Sequence, residues 1–347
     1  MMRSEDIPRG VVLTAHPPKR AFVMDGLQYC AWSRPVFEQM REGGVDAVHA
    51  TLAYHENFRE TVDRIVSWDR LFADNNDLIA KASSIADIEA ARASGRTAVL
   101  FGVQNPSPIE ADLGLVSILR DLGVCFMQLT YNNQSLLGAG WQESGDGGLT
   151  RMGRLVIAEM NRLGIVIDMS HAGELTTLEA IRASRQPVAV THANPRWWRD
   201  TGRNVSDEVI RALADTGGML GLSLYPHHLA KGSACTLAEF CAMAARLAEV
   251  TGVERLGIGS DLCQGHSNSI ISWMRDGRWT SEPAENPNGP PLLPAPLAWF
   301  RSNADFPGLR AGLRGAGFSD RDADGIMGEN WMRFLRKVLS GANGVSQ

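Results

Sequence analysis

Short apolar runs alternate with segments whose apolar residues recur every three or four positions, the pattern of buried strands separated by amphipathic helices. The stretch 165–204, IVIDMSHAGELTTLEAIRASRQPVAVTHANPRWWRDTGRN, shows the unit in full. Its runs at 165–169 and 187–190 read as strands, and Leu175, Leu178 and Ile181 between them read as one face of a helix about three turns long. A right-handed crossover makes the two strands parallel. His171 and His192, each within two residues of its run, therefore emerge at the same carboxyl edge of one sheet.

The same rhythm extends along the chain. Strands are predicted at 21–24 (ending in Asp25-Gly26), 45–52, 97–103, 125–129, 165–169, 187–190, 219–223 and 256–259. Further helices are predicted at 33–43, 58–72, 85–94, 113–122, 150–163, 206–216, 237–251 and 320–335. Repeated βα units without a break in composition predict one α/β domain over 1–347, a single (β/α)8 TIM barrel. A doubly wound open sheet is the alternative, but the glycine-rich phosphate turns that would favour it, GxGxxG and GxxxxGK[ST], are absent. Residues 262–308, with PAENPNGPPLLPAP, are too long for an ordinary connection and read as a lid or interface loop, followed by a C-terminal helical segment at 309–340.

Composition narrows the partners. The net charge of −5 carries no basic cluster, which argues against nucleic acid or an anionic membrane surface. No apolar run approaches the ~20 residues that span a bilayer. The first residues lack the apolar core of a secretory signal, so a cytoplasmic location is expected, with small molecules or further copies of the chain as partners. Five cysteines, odd in number and without CxxC spacing, fit reduced thiols.

A barrel builds its site from the residues just past the end of each strand. Here these are Asp25 and Tyr29, His49 or His55, Gln104 and Asn105, Tyr131 and Asn132, His171, His192 and Asn194, Tyr225 with His227 and His228, and Asp261. Two imidazoles at successive strand ends, in matching Ser-His and Thr-His contexts, suggest a metal. Asp261, in GIGSDL, adds a carboxylate at that edge or else caps the following segment.

The segments IDMSH, PVAVTHANPR, GRNVSDEVIRAL, LGIGSDL and IMGENWMRFL resemble the renal or membrane dipeptidase family, peptidase family M19, among the amidohydrolase-type barrels. The resemblance spans about 21 to 340. It implies a (β/α)8 barrel with two zinc ions, a bridging carboxylate and an attacking water, and a homodimer. By it, His171 and His192 match the histidines of the second metal, Asp261 the aspartate after strand 8, and Arg203 the arginine that holds a dipeptide's terminal carboxylate, which its guanidinium fork suits. The pattern is broken elsewhere. The family's strand-1 His-x-Asp is Leu27 and Tyr29 here, its bridging glutamate is Gln104, and its histidine after strand 4 is Tyr131.

With Asp261 the only carboxylate left at those positions, one zinc ion is expected in place of two, held by His171, His192 and Asp261 or Gln104. Asp261 would ligate the metal or take the water's proton, and Tyr131 would donate a hydrogen bond to the oxyanion. His266, in CQGHSN, is a further candidate ligand or acid. Arg203, Gln104 and Asn132 are expected to contact the substrate. The reading is a metal-dependent hydrolase cleaving the amide of a dipeptide or a similar small carboxylate-bearing amide. The alternatives are a one-metal or metal-free enzyme on another amino-acid derivative, and a non-catalytic barrel that binds a small ligand. Trp273, Trp279 and Trp299 are expected either at a dimer contact or along the pocket.

Overall fold

The computed structural model describes residues 20–277 and 293–340; Trp279 and most of the proline-rich run lie outside them. The strands are β1 (Met24–Gln28), β2 (Ala47–Ala53), β3 (Ile79–Ala82), β4 (Thr97–Val103), β5 (Val124–Gln128), β6 (Val166–Asp168), β7 (Ala189–Ala193), β8 (Met219–Leu222) and β9 (Leu256–Ile258). The helices are α1 (Arg34–Gly43), α2 (Phe58–Asp74), α3 (Ile85–Ala93), α4 (Gly114–Asp121), α5 (Arg151–Leu163), α6 (Glu174–Ala183), α7 (Asp207–Thr216), α8 (Leu237–Thr251), α9 (Asn268–Asp276), α10 (Phe306–Gly315), α11 (Asp320–Met327) and α12 (Glu329–Leu339). All strand pairings are parallel, and β2 pairs with both β1 and β4, which closes eight strands into the expected (β/α)8 barrel. The ninth strand, β3, pairs with residues 97–100 of β4 below the point where 101–103 meet β5.

Local chemistry explains where the helices begin. Asn57, Ser84 and Thr236 form capping boxes with Glu60, Asp87 and Glu239 at the starts of α2, α3 and α8, and Thr150 and Ser206 cap α5 and α7.

Five details depart from the sequence pattern. The first strand starts at Met24, not 21, and runs through Asp25-Gly26, because the Asp25 carboxylate is fully satisfied inside the barrel by Ser260 and Gln28. The four-residue β3 is too short and too mixed (IAKA) to register as a strand in the sequence. Part of the expected loop at 262–308 is helix α9, capped by Ser267. The single helix expected at 320–335 is two helices that meet at Gly328. On α6, Leu175 turns outward at 40% exposure, and Leu178 and Ile181 pack inward with Thr176, Thr177 and Ala180.

The amino-terminal end of the barrel is plugged by Trp331 of α12, which is fully buried and donates from Nε1 to the Ile258 carbonyl at 2.9 Å. Glycines make room for the indole. A Cβ at Gly257 would stand 2.3 Å from Trp331 Nε1, and one at Gly26 2.6 Å from Cζ2. Replacing Trp331 leaves a cavity beneath the site and an unpaired carbonyl. Trp331→Ala is expected to cost about 3–5 kcal/mol in urea or guanidinium unfolding; a change under about 1 kcal/mol would show that the plug is not structural.

Candidate active site

Many of the strand-end residues meet at the carboxyl edge of the barrel, around a cavity of about 420 Å³ lined by Tyr29, Gln104, Tyr131, His171, Arg203 and Asp261 among others. Its floor is organised by buried carboxylates. Asp168, on β6, accepts the Ser170 and Thr191 amides, each at 3.0 Å, the Ser170 hydroxyl at 2.8 Å and the Thr191 hydroxyl at 2.6 Å. Asp25, on β1, accepts the Ser260 amide at 2.7 Å and the Ser260 hydroxyl. The residue after each of these hydroxyls is His171, His192 or Asp261. The hydrogen bonds to both aspartates pull against burial, which raises their pKa values.

The two histidines face each other with Nε2 atoms 3.1 Å apart. Their tautomers follow from their other partners. His171 Nδ1 lies 2.7 Å from Asn132 Oδ1, an oxygen that also accepts from the Trp141 indole at 2.7 Å, so His171 must donate there. His192 Nδ1 lies 2.8 Å from Thr191 Oγ1, whose own proton goes to Asp168, so this nitrogen donates as well. Both Nε2 atoms are left with lone pairs pointing at one another, an arrangement that a proton or a cation must bridge. Burial, followed by the charge of Arg203, holds both imidazoles well below their usual pKa, which disfavours the proton.

Two nitrogens bound to one zinc ion at about 2.0–2.1 Å stand roughly 3 Å apart, so the pair fits a single ion. Its remaining ring nitrogens are fixed by oxygen partners, as metal-binding histidines require. Among the described residues no group of three or more His, Cys, Asp or Glu is placed to hold a metal, so Asp261 does not join the histidines in a ready-made three-ligand cluster.

Asp261 sits in the same cavity, 4.0 Å from His228 Nδ1, with its pKa pushed up to about 7, chiefly by burial and against the pull of Arg203. Tyr131 lines the wall with its hydroxyl pKa raised by burial and then by Asp261, so it remains a donor. Arg203 is buried and donates from Nη2 to the His192 carbonyl at 2.9 Å, while Nε and Nη1 have no protein partner. Gln104 reaches the cavity but its Nε2 is engaged by Thr51 Oγ1 at 2.8 Å. Asn132 spends its carbonyl on orienting His171. His266 is separate from these groups. Its Nε2 donates to the Tyr29 carbonyl at 2.7 Å, and it lines a neighbouring cavity. His49 lies deeper in the barrel, stacked on Phe126 and bonded to the Gly26 carbonyl, its pKa lowered to about 3 by burial.

Three residues of this site, Asn132 (φ 59°), His171 (φ 64°) and Asp261 (φ 58°), adopt left-handed backbone conformations, and Glu110 is the only other described non-glycine residue that does. Backbone strain of this kind concentrates where a side chain must be aimed.

Sequence reasoning missed Arg275 and Tyr54, both of which line the cavity. Arg275 enters the cavity from α9 and donates to the Tyr225 hydroxyl at 2.6 Å. Ser267 followed by apolar Ile271 and Met274 was the available signal for that helix. Trp273 packs edge-on against Tyr54 and His55 at the mouth, and Trp299 packs against Phe240 and Phe300, so both are engaged within the fold.

A family profile described as membrane dipeptidase (peptidase family M19) matches residues 34–271. The chain belongs to that family. Among curated relatives, the dipeptidase aclJ of Aspergillus oryzae is 28% identical over 213 residues, covering 60% of this chain and 50% of that protein. An uncharacterized dipeptidase of Schizosaccharomyces pombe, C965.12, is 31% identical over 212 residues, with 58% and 50% covered. The chain thus spans about half the length of these relatives. A solved amidohydrolase from Pseudomonas aeruginosa is 36% identical, with a TM-score of 0.86, covering 92% of this chain and 97% of that one. A Rhodobacter sphaeroides metallopeptidase, solved with a phosphinate mimic of L-Ala-D-Ala, shares the fold at 17% identity, with a TM-score of 0.77 and 92% and 99% covered. No helix among the described residues of this M19 member is long and apolar enough to cross a membrane.

The raised pKa of Asp261 makes a stability prediction for the metal-free protein. A carboxyl at about 7 when folded and 3.8 when free carries no ionisation penalty below pH 4, and the full penalty above pH 7. Asp261→Asn is therefore expected to be more stable than the parent at pH 8, by roughly 2–4 kcal/mol, with the difference fading as pH falls toward 4. A pH-independent difference would show that Asp261 is ionised without cost.

Proposed function

We propose that this M19 protein is a hydrolase that cleaves the amide bond of a small carboxylate-bearing substrate, using one zinc ion held by His171 and His192. The observation that carries this is the pair of Nε2 lone pairs facing each other at 3.1 Å with both Nδ1 atoms committed elsewhere. When bound there, zinc supplies Lewis acidity to the reacting carbonyl and water. The chain's own groups do the rest. The unpartnered Nε and Nη1 of Arg203 supply free N–H donors that take the substrate carboxylate and fix the amide over the histidines. Asp261, unprotonated above pH 7, accepts the proton of the attacking water. The Tyr131 hydroxyl donates to the oxygen that becomes negative. Burial of His192, Arg203, Asp261 and Tyr131 limits bulk water and strengthens these interactions.

The absence of a three-ligand cluster among the described residues favours one second reading, a barrel that binds its ligand without turning it over. Chelation separates the two. Protein purified without chelator is expected to carry about one transition-metal ion and to lose amide hydrolysis when stripped, with zinc restoring it; His171→Ala and His192→Ala should each lower kcat/KM by at least about 10²-fold. The rate should also fall as pH drops through the pKa of Asp261, which a bound cation sets below the value of about 7 of the metal-free site, because Asp261 then holds the proton it must accept. Full activity after chelation would sink the metal reading, and ligand-induced stabilisation without turnover of any amide would leave the binding barrel.

A further inference from the structure

The charge around the reaction cavity does not suit a free dipeptide. Its lining brings together Arg203 at the base, Arg275 from α9 and Arg199 at the rim, while Asp261 is the only carboxylate among the described lining residues. Among the described residues no carboxylate lies within ion-pairing distance of Arg203 or Arg275; Arg203 bonds a backbone carbonyl and Arg275 a tyrosine hydroxyl. A substrate ammonium would have to pair with Asp261, the group needed to take the water's proton, in a site already crowded by guanidinium groups. Repulsion among like charges in a buried site is strong.

A second cavity of about 460 Å³ adjoins the first. Tyr29, Tyr54 and Met274 line both, and the second continues between Trp32, Trp68 and Trp273 with Leu52, Leu71 and Ile270. It is mainly apolar and aromatic. Its charged lining groups, Glu56 and Arg64, bond each other at 3.3 Å, and Glu56 also accepts the Tyr54 and His55 amides. No unpaired charge therefore awaits a polar partner there. Arg203 thus faces one end of a bound amide and an aromatic chamber lies toward the other.

Resting on the hydrolase reading above, we propose that the substrate is an N-acyl amino acid with a bulky apolar or aromatic acyl group: its carboxylate sits on Arg203, its nitrogen is uncharged because it is acylated, and its acyl group passes Tyr29, Tyr54 and Met274 into the second cavity. In the reaction, the oxygen of water bonds to the acyl carbon and the C–N bond breaks. One water proton ends on the departing nitrogen. The products are a carboxylic acid and a free amino acid.

The test compares N-benzoyl-, N-acetyl- and N-glycyl- derivatives of one amino acid on the full-length, zinc-loaded protein, following release of that amino acid. The expected order of kcat/KM is benzoyl above acetyl above glycyl, with benzoyl at least tenfold above glycyl. Ser269→Trp, which places an indole in the second cavity from α9, is expected to lower the benzoyl-to-acetyl ratio at least tenfold. A glycyl derivative cleaved faster than its acylated counterparts, or a benzoyl-to-acetyl ratio unmoved by Ser269→Trp in a protein of parental Tm, would overturn the proposal. If nothing is turned over, ligand-induced shifts in Tm decide. Stabilisation by N-benzoyl but not N-glycyl derivatives would uphold the ligand class while the hydrolase reading fails, and stabilisation by neither would overturn both.

Discussion

The constraint on which the site depends is the need to satisfy two buried carboxylates. Asp25 and Asp168 are taken out of water by the barrel, and an unpaired carboxylate there would be costly. Each finds its donors on neighbouring strand ends: Asp168 binds Ser170 and Thr191, and Asp25 binds Ser260. The next residues in the chain are His171, His192 and Asp261. Hydrogen bonds that cancel a desolvation penalty thereby also fix the backbone from which the functional side chains project, and the left-handed conformations of His171 and Asp261 are held by the same anchors.

That arrangement sets the electrostatics above it. The carboxylates of the floor are used up by hydroxyls and amides, so they do not pair with Arg203, whose free N–H groups are kept for a ligand. Arg203 and burial together keep the imidazoles neutral, and their outer nitrogens are tied to Asn132 and Thr191. What remains for a ligand is a pair of nitrogen lone pairs, one carboxylate of high proton affinity and a guanidinium with free N–H groups. Each is suited to a different part of an amide with a carboxylate on one side.

Much of this is legible in the sequence because it is written in local patterns. The strand-helix-strand rhythm around Ile165 is carried by burial, and DMSH and THAN place a hydroxyl beside each histidine. Asp25 misleads because a carboxylate in a strand looks like an exit, whereas its partner Ser260 is 235 residues away and invisible to any window. The same distance effect hides Arg275, whose helix caps the barrel mouth through contacts with Tyr225 and Tyr54 that no local spacing reveals. Asn132 resembles a substrate contact because its type and position allow it. Only the geometry shows its carbonyl committed to His171 and Trp141.

The most direct measurement is anomalous diffraction at the zinc edge from crystals grown with zinc and without chelator. A site made by His171 and His192 requires a single peak within about 2.0–2.1 Å of Nε2 of both residues. Two peaks in the cavity, or a cavity without metal in which the two imidazoles have moved apart, would contradict it.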